Sequence, residues 1–499
     1  MRMRQHKRGW RQCLFGWLTA AALLVAPAGC SRTDGPAVSL PAGSAASAAS
    51  SAAAASTWPS TSAATVTEAT NATDTTSVPE ESATTGTHSA TPQGSATTTR
   101  ATAATGTTTA SSAATTRVTT PPRPALEGEL RGVWVSYIEL NKLLGKKTAD
   151  EAKTVLDDLL DSCASYGINA LFFHVRANSD AYYASSIFKP AASVASLIES
   201  GFDPLAYAVE GAHKRGMQLH AWINPYRIGT DESYAVGDKG DRFCKYRNTK
   251  YEQQTWYYIP TSTAAQKTIL DGIREILDRY AVDGIHFDDY FYPENDDPKV
   301  GIDHDQPESF ESDFNPSGSL SLGDWRRAAV DALIIQAYAI THQKPGAVFG
   351  VSPQAGAEHT RDKLYADTVK WLGTAGYVDY LCPQVYFGFE HRSSAFDKVT
   401  ERWLGYKRAA GVQLYIGMGL YKTGIDDDTW AGDSGRREWI ENDDIMKRQV
   451  EYLRTQPQVG GMVFYSYTYF DPVACGELQG EGLEVAKREV QNLLPLLRG

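Results

Sequence analysis

Asp283-Gly284-Ile285-His286-Phe287-Asp288-Asp289, running straight into Tyr290-Phe291-Tyr292, ends an apolar run on paired carboxylates and an aromatic cluster. Side chains alternate faces along a strand, so His286, Asp288 and Tyr290 share one face while Ile285, Phe287 and Asp289 share the other. The polar set is expected to face inward. A carboxylate beside aromatic rings at the C-terminal end of a strand is where parallel α/β barrels and open α/β sheets place reactive groups. The plainer alternative is an acidic turn leading into a surface loop.

Outward from this stretch, short apolar runs alternate with helical segments. The runs are Arg131 to Tyr137, Ile168 to Arg176, Met217 to Asn224, Val282 to Tyr290, Ala347 to Ser352, Val378 to Tyr386, Val412 to Leu420 and Gly460 to Tyr467. Between them lie amphipathic stripes such as Val155, Leu156, Leu159, Leu160 and Cys163, or Ile269, Ile273, Ile276, Leu277 and Tyr280. Gly167, Gly216 and Gly411 stand where helices should end in a left-handed residue before the next strand. Eight such units predict an α/β fold of the (β/α)8 barrel type. A doubly wound open sheet ranks second, because no Gly-rich phosphate loop follows the first strand. Connections after the third and fourth runs, near Pro225 to Pro260 and Pro293 to Gly323, are long, which places a cleft on that rim. The Tyr- and Trp-rich segment Tyr246 to Tyr258 reads equally as a lid or as a packed excursion.

Not all of the 499 residues belong to the barrel. Met1 to Cys30 reads as an export signal, with a basic start (Arg2, Arg4, Lys7, Arg8, Arg11), an apolar stretch from Leu14 to Val25 and a small-residue processing site at Ala28-Gly29-Cys30. The apolar stretch is short for a membrane span. Gly29-Cys30-Ser31 resembles a lipoprotein processing site, making Cys30 the candidate lipid anchor, although Pro27 stands where such sites carry Leu; an ordinary secretory signal is the alternative. Residues 31–125 are dominated by Ala, Ser and Thr and cannot bury enough apolar surface to fold. They read as a tether with a reach of roughly 50 Å. Residues 126–499 remain as one large domain. A net charge of −11 argues against nucleic acid as a partner and leaves a neutral glycan open. Of six cysteines, Cys13 and Cys30 lie in the leader, and Cys163, Cys244, Cys382 and Cys475 show no metal-binding spacing. Cys163 and Cys382 fit as core fillers, and a Cys244 to Cys475 bridge is open to the chain after export but unsupported by sequence.

The strand ends supply Trp134 and Tyr137, then Arg176 with Asp180 and Tyr182, then Trp222, Asn224 and Arg227, then Asp288 to Tyr292, then Ser352 and Gln354, then Gln384 and Tyr386, then Tyr421 and Lys422, and last Tyr467 and Tyr469. Aromatic rings stack on the C–H faces of sugars and polar forks read hydroxyls, so this ring of residues fits carbohydrate. We take Arg176, Trp222, Asn224, Arg227, Tyr290, Tyr292, Gln384, Tyr386 and Tyr421 as the substrate-binding set. Glycoside cleavage needs two carboxyl groups, one protonated and one ionised. Asp288 is the first candidate for the ionised role. Asp180 and Asp289 are the leading second carboxyls, ahead of Glu358 and Glu390, which sit further into loops. His174, His220 and His286 could with Asp288 compose a metal site, but no His-x-His or His-Glu-x-x-His spacing appears, and an interior hydrogen-bonded layer is the better reading. Neither a cofactor nor a metal is expected.

With these segments in hand, the chain resembles the bacterial glycosyl-hydrolase-10-like family of exported (β/α)8 proteins. The matching pieces include Arg131-Gly132-Val133-Trp134, His220-Ala221-Trp222 with Asn224-Pro225-Tyr226-Arg227, Val282-Asp283-Gly284 with Phe287-Asp288-Asp289-Tyr290, Gly350-Val351-Ser352-Pro353 and Pro383-Gln384-Val385-Tyr386, over most of Leu130 to Phe470. The resemblance implies hydrolysis of cell-wall glycan, notably peptidoglycan strands stripped of stem peptides, by a protein anchored at the membrane and facing the wall. More distantly, Asp283-Gly284 followed by Asp288 is similar to the fourth-strand pattern of amylase-type and chitinase-type barrels; the chitinase-type acid would fall on Tyr290, which disfavours that mechanism. Two other readings stay open: a catalytically idle carbohydrate-binding lipoprotein, and a metal-dependent barrel hydrolase.

Overall fold

A computed structural model describes residues 128–237, 243–248, 253–294 and 318–499, with Pro124, Leu126 and Asn315. The leader, the tether, Cys30, the Cys244 side chain and most of the expected loop from Pro293 to Gly323 lie outside the described residues. Eight parallel strands close into a ring in chain order: β1 (Leu130–Val135), β2 (Ala170–Arg176), β3 (Gln218–Ile223), β4 (Gly284–Phe287), β5 (Val348–Val351), β6 (Tyr380–Leu381, resuming at Gln384–Val385), β7 (Gln413–Met418) and β8 (Gly461–Phe464). Pairing of β1 with β8 and of β6 with β7 completes the circuit. The fold is the expected (β/α)8 barrel. Two boundaries differ from the sequence reading. β1 stops at Val135, because Ser136 caps a short helix Tyr137–Leu144, and β4 stops at Phe287, before the carboxylates.

The outer helices are α1 (Ala149–Ser165), α2 (Pro204–Lys214), α3 (Thr263–Arg279), α4 (Leu322–Thr341), α5 (Thr368–Gly373), α6 (Phe396–Gly405), α7 (Ile445–Arg454) and α8 (Gly480–Arg498). Their starts are written in the sequence. Thr148 and Glu151 form a reciprocal capping box on α1, Asp203 accepts from Leu205 N and Ala206 N ahead of Pro204, and Ser262 and Ser321 cap α3 and α4. Most of the expected stripes are buried: Leu156, Leu159, Leu160 and Cys163 on α1, and Ile269, Ile273, Ile276 and Leu277 on α3 with Tyr280 just beyond it. They meet the outward strand residues Val133, Leu171, Phe173 and Ile285 in one apolar shell.

Inside the ring a second, smaller cluster holds Trp134, Phe172, Trp222, Tyr380, Tyr386 and Tyr415. Glycines on neighbouring strands make room for these rings. A Cβ on Gly350 would lie 2.1 Å from the Tyr380 ring, and one on Gly132 2.6 Å from Phe172. Gly284 serves likewise, since its Cβ would stand 2.6 Å from His220 Nδ1. Its neighbour Asp283 fixes the start of β4: Oδ2 accepts from Leu219 N at 2.7 Å and lies 2.9 Å from His213 Nε2.

The excursion after β3 is packed. Arg227–Gly229, Gln253–Tyr258 and Phe243–Asn248 form a three-stranded antiparallel sheet, and buried Tyr258 shares a 2.6 Å hydrogen bond with Ser179 Oγ. Cys163 and Cys382 are buried core fillers as expected, and Cys475 is a free thiol.

Gly167, between α1 and β2, has φ +83°, and a Cβ there would sit 2.2 Å from the Leu497 carbonyl oxygen of α8. Backbone cannot yield as a side chain can, so Gly167→Ala should cost about 2 kcal/mol or more. Gly376, at φ +92° with open space around it, isolates the backbone effect alone; Gly376→Ala should cost only about 1 kcal/mol. Urea unfolding of both variants measures the difference.

Candidate active site

The strand ends on the C-terminal face form a cleft open to solvent, lined by Trp134, Ser136, Tyr137, Ile138, His174, Trp222, Asn224, Arg227, Asp288, Asp289, Tyr290, Ser352, Gln384, Tyr386 and Tyr465. Its floor is an ordered run of hydrogen bonds. Trp134 Nε1 can only donate, and it lies 3.2 Å from His286 Nε2, which must therefore accept. His286 Nδ1 then carries the hydrogen and donates to Tyr380 Oη at 3.0 Å, and Tyr380 Oη shares a further hydrogen bond with His220 Nδ1 at 3.1 Å. His220 Nε2 in turn faces Gln218 Oε1 at 3.3 Å. His286 is neutral in this arrangement, in accord with burial, and secondarily His220, holding it well below the usual imidazole range. His174 is likewise held low by burial and then by Arg227; it accepts from Tyr137 N at 3.3 Å and stacks on Trp222 with ring centroids 3.8 Å apart. The three histidines thus form interior hydrogen-bonded structure. Among the described residues no group of three or more His, Cys, Asp or Glu is placed to hold a metal ion.

Above this floor stand the carboxylates. Asp288 Oδ1 accepts from Asp289 N at 2.8 Å and from Gln384 Nε2 at 3.1 Å, and Gln384 Nε2 also donates to the Ser352 carbonyl at 3.0 Å. The Asp288 and Asp289 side chains are hydrogen bonded to each other, and the side chains of Gln354 and Gln384 contact Asp289. Burial, followed by the charge of Asp289, pushes the Asp288 carboxyl well above the ordinary carboxylate range. Asp289 is raised by burial too, less so because those hydrogen bonds favour its anion. Of the two, Asp288 is therefore the one that keeps its proton to higher pH. This corrects the expectation that Asp288 is the ionised member: Arg227 is only a minor influence on it, and burial beside a second carboxylate outweighs that cation. Arg227 itself stays charged: burial opposes this, but Tyr137, Tyr290 and Tyr257 more than compensate, with the guanidinium 5.1 Å from the Tyr290 ring centroid and 5.8 Å from that of Tyr137.

Alternation along β4 explains Asp288 but not Asp289, which reaches the cleft because the strand has already ended. Trp222, Asn224, Arg227, Tyr290, Gln384 and Tyr386 converge as expected. Asp180 does not join the carboxyl pair; it is buried off the cleft, where Oδ1 accepts from Asn178 N at 3.0 Å. Arg176 is likewise displaced: Nη2 donates to the Pro225 carbonyl at 2.9 Å and the guanidinium lies over Phe188 at 4.9 Å, so it ties β2 to the loop after β3. Tyr292 packs in the core against Tyr365 and Arg326, and Tyr421 stands one ring further out, edge-on to Tyr386. Glu358 and Glu390 are exposed. Lys422 is spent in a buried ion pair with Asp428 at 2.6 Å.

Sequence reasoning missed Ser136, Ile138, Tyr465 and the lining role of His174. For His174 and Tyr465 the signal was present. Each falls on the inward parity of its strand, two residues past Phe172 and Val463 respectively. Behind Ser136, buried Glu139 accepts from Ser136 N at 2.6 Å, Ser466 Oγ at 2.8 Å and Thr468 N at 2.7 Å, joining the ends of β1 and β8.

A family model described as glycosyl hydrolase-like 10 matches residues 129–431. The glycosyl hydrolase DigH of Escherichia coli (strain K12) is 29% identical over 389 residues, covering 68% of this chain and 84% of that one. The glycosyl hydrolase YngK of Bacillus subtilis (strain 168) is 32% identical over 352 residues, covering 65% and 67%. Among solved structures, the PgaB (BpsB) glycoside hydrolase domain from Bordetella bronchiseptica aligns with a TM-score of 0.47 at 12% identity, covering 70% of this chain and 98% of that one.

A carboxyl whose folded pKa is raised stabilises the fold below its unfolded pKa, and that stability is lost as pH rises through the folded value. Asp288→Asn removes the penalty of ionising the site. The variant should therefore be more stable than wild type above neutral pH, by on the order of 1 kcal/mol, with the gain vanishing as pH falls toward the ordinary aspartate range. Thermal unfolding across pH reads this directly.

Proposed function

The chain belongs to the glycosyl hydrolase-like 10 family, a glycoside-hydrolase class of enzyme as its strand-end motifs led us to expect, and on that premise we propose that it is an exported, membrane-tethered hydrolase of cell-wall glycan. The observation that carries this reading is the Asp288–Asp289 pair, two hydrogen-bonded carboxyls of which Asp288 keeps its proton to higher pH, in an open aromatic cleft. One protonated and one ionised oxygen within reach of the same substrate is the equipment for acid-assisted cleavage of an acetal. Trp134, Trp222, Tyr290, Tyr386 and Tyr465 offer ring faces and edges to sugar C–H groups. Buried Trp222 Nε1 and Ser352 Oγ have no partner among the described residues, and each suits a sugar hydroxyl.

The choice of a peptidoglycan-type glycan is supported by the family resemblance and by residues 1–125, whose export signal, candidate lipid site at Cys30 and Ala/Ser/Thr-rich tether suit a domain that searches a nearby wall.

Purified protein should release reducing ends from peptide-free glycan strands, and Asp288→Asn should abolish release while retaining binding of the strands. Trp222→Phe keeps the stack on His174 but removes the indole N–H, so KM should rise about tenfold. A wild-type protein that binds the strands yet releases nothing would be a carbohydrate-binding protein instead.

A further inference from the structure

The two cleft carboxyls are too close for the usual division of labour in glycoside hydrolysis. Acid and nucleophile stand about 5–5.5 Å apart in retaining enzymes, and acid and base about 6.5–9.5 Å apart in inverting ones. Asp288 and Asp289 are consecutive and hydrogen bonded to one another, so both approach a bound glycosidic linkage from one side. Among the described residues no third carboxyl lines the cleft. An acid is at hand, but among the described residues no separate carboxylate lines the cleft to attack the opposite face of the sugar.

We infer that the substrate supplies this nucleophile: the carbonyl oxygen of a 2-acetamido group attacks C1 of its own sugar, while Asp288 holds the acetamido N–H and Asp289 protonates the departing oxygen. The inference rests on the proposed cleavage of a glycan built from such sugars. The roles follow from placement. Asp288 directly follows β4, within a lining that includes Trp134, Tyr386 and Tyr465, whose rings suit an acetamide methyl, and its Oδ1 is fixed by Asp289 N and Gln384. Asp289 belongs to the turn beyond the strand, at the rim where a leaving chain must exit. When the acetamido N–H docks on Asp288, the proton of the pair passes to Asp289.

In the first step the C1–O bond to the leaving sugar breaks as a C1–O bond to the acetamido oxygen forms, and the Asp289 proton goes to the leaving oxygen. The product is a five-membered oxazolinium ring whose N–H rests on the Asp288 carboxylate. In the second step water attacks C1, the acetamido oxygen leaves, and the water's proton returns to Asp289. One glycosidic bond and one water are consumed, and two displacements at C1 retain its configuration.

The experiment compares peptide-free glycan strands with the same strands chemically de-N-acetylated, follows the anomer first released by NMR, and adds the thiazoline analogue of N-acetylglucosamine as inhibitor. Retained configuration, competitive inhibition and at least about a 100-fold slower attack on the free-amine strands are expected. Asp289→Asn should lose about 100-fold on strands but keep most of its rate on a dinitrophenyl glycoside of an N-acetylated disaccharide, which needs no acid, whereas Asp288→Asn should lose both. Circular dichroism confirms that each variant is folded. Inverted product, or equal cleavage of acetylated and free-amine strands, overturns the inference alone. No cleavage of acetylated strands by wild type overturns the proposed function and the inference with it.

Discussion

The hydrogen-bond run from Trp134 through His286, Tyr380 and His220 to Gln218 is the constraint on which the cleft depends. It links side chains from four strands, β1, β4, β6 and β3, across the interior of the ring. A buried polar atom left without a partner costs roughly 1–3 kcal/mol, so the run holds only if all five side chains keep their places together. Because Trp134 can only donate, His286 must accept on Nε2 and donate from Nδ1, which keeps that imidazole neutral. A neutral floor matters for what lies above it. A charged imidazolium there would pull the Asp288 carboxyl down and remove the proton that the acid pair needs.

Much of the fold was legible because barrel strands obey simple parity. All eight runs contain strands, since a buried parallel strand needs an unbroken apolar stretch and a helix needs its stripe and cap. The inward set along β4 was readable for the same reason. Parity failed where backbone regularity stops: Tyr137 begins a helix, and Asp289 turns into the cleft only because β4 is already over. It also failed for Arg176 and Tyr292, whose polar ends were assigned to substrate. Their actual partners, the Pro225 carbonyl and the Tyr365–Arg326 stack, are distant in sequence and leave no local trace. Charge state was the least legible property. Asp288 was read as the ionised member, whereas its carboxyl is pushed up by depth and by the carboxylate alongside.

The inward glycines show why the sequence is sparing with bulk at some strand positions and lavish at others. Gly132, Gly284, Gly350 and Gly417 vacate the space that Phe172, His220, Tyr380 and Trp134 occupy, so large rings on one strand interlock with bare backbone on another. A ring filled in this way is a packed support rather than a channel, and the cleft is confined to the rim.

The seam between the first and last units has a consequence for how such a chain is made. β1 pairs with β8, Gly167 lies against the Leu497 carbonyl, and Arg498 Nε donates to the Ser165 carbonyl at 2.7 Å. A polypeptide emerging amino end first presents β1 with one unpaired edge until nearly everything else has followed. During that interval the open edge is exposed to adventitious pairing with other chains. A passage that delivers the chain unfolded, and lets the final helix arrive before competitors do, would suit this architecture.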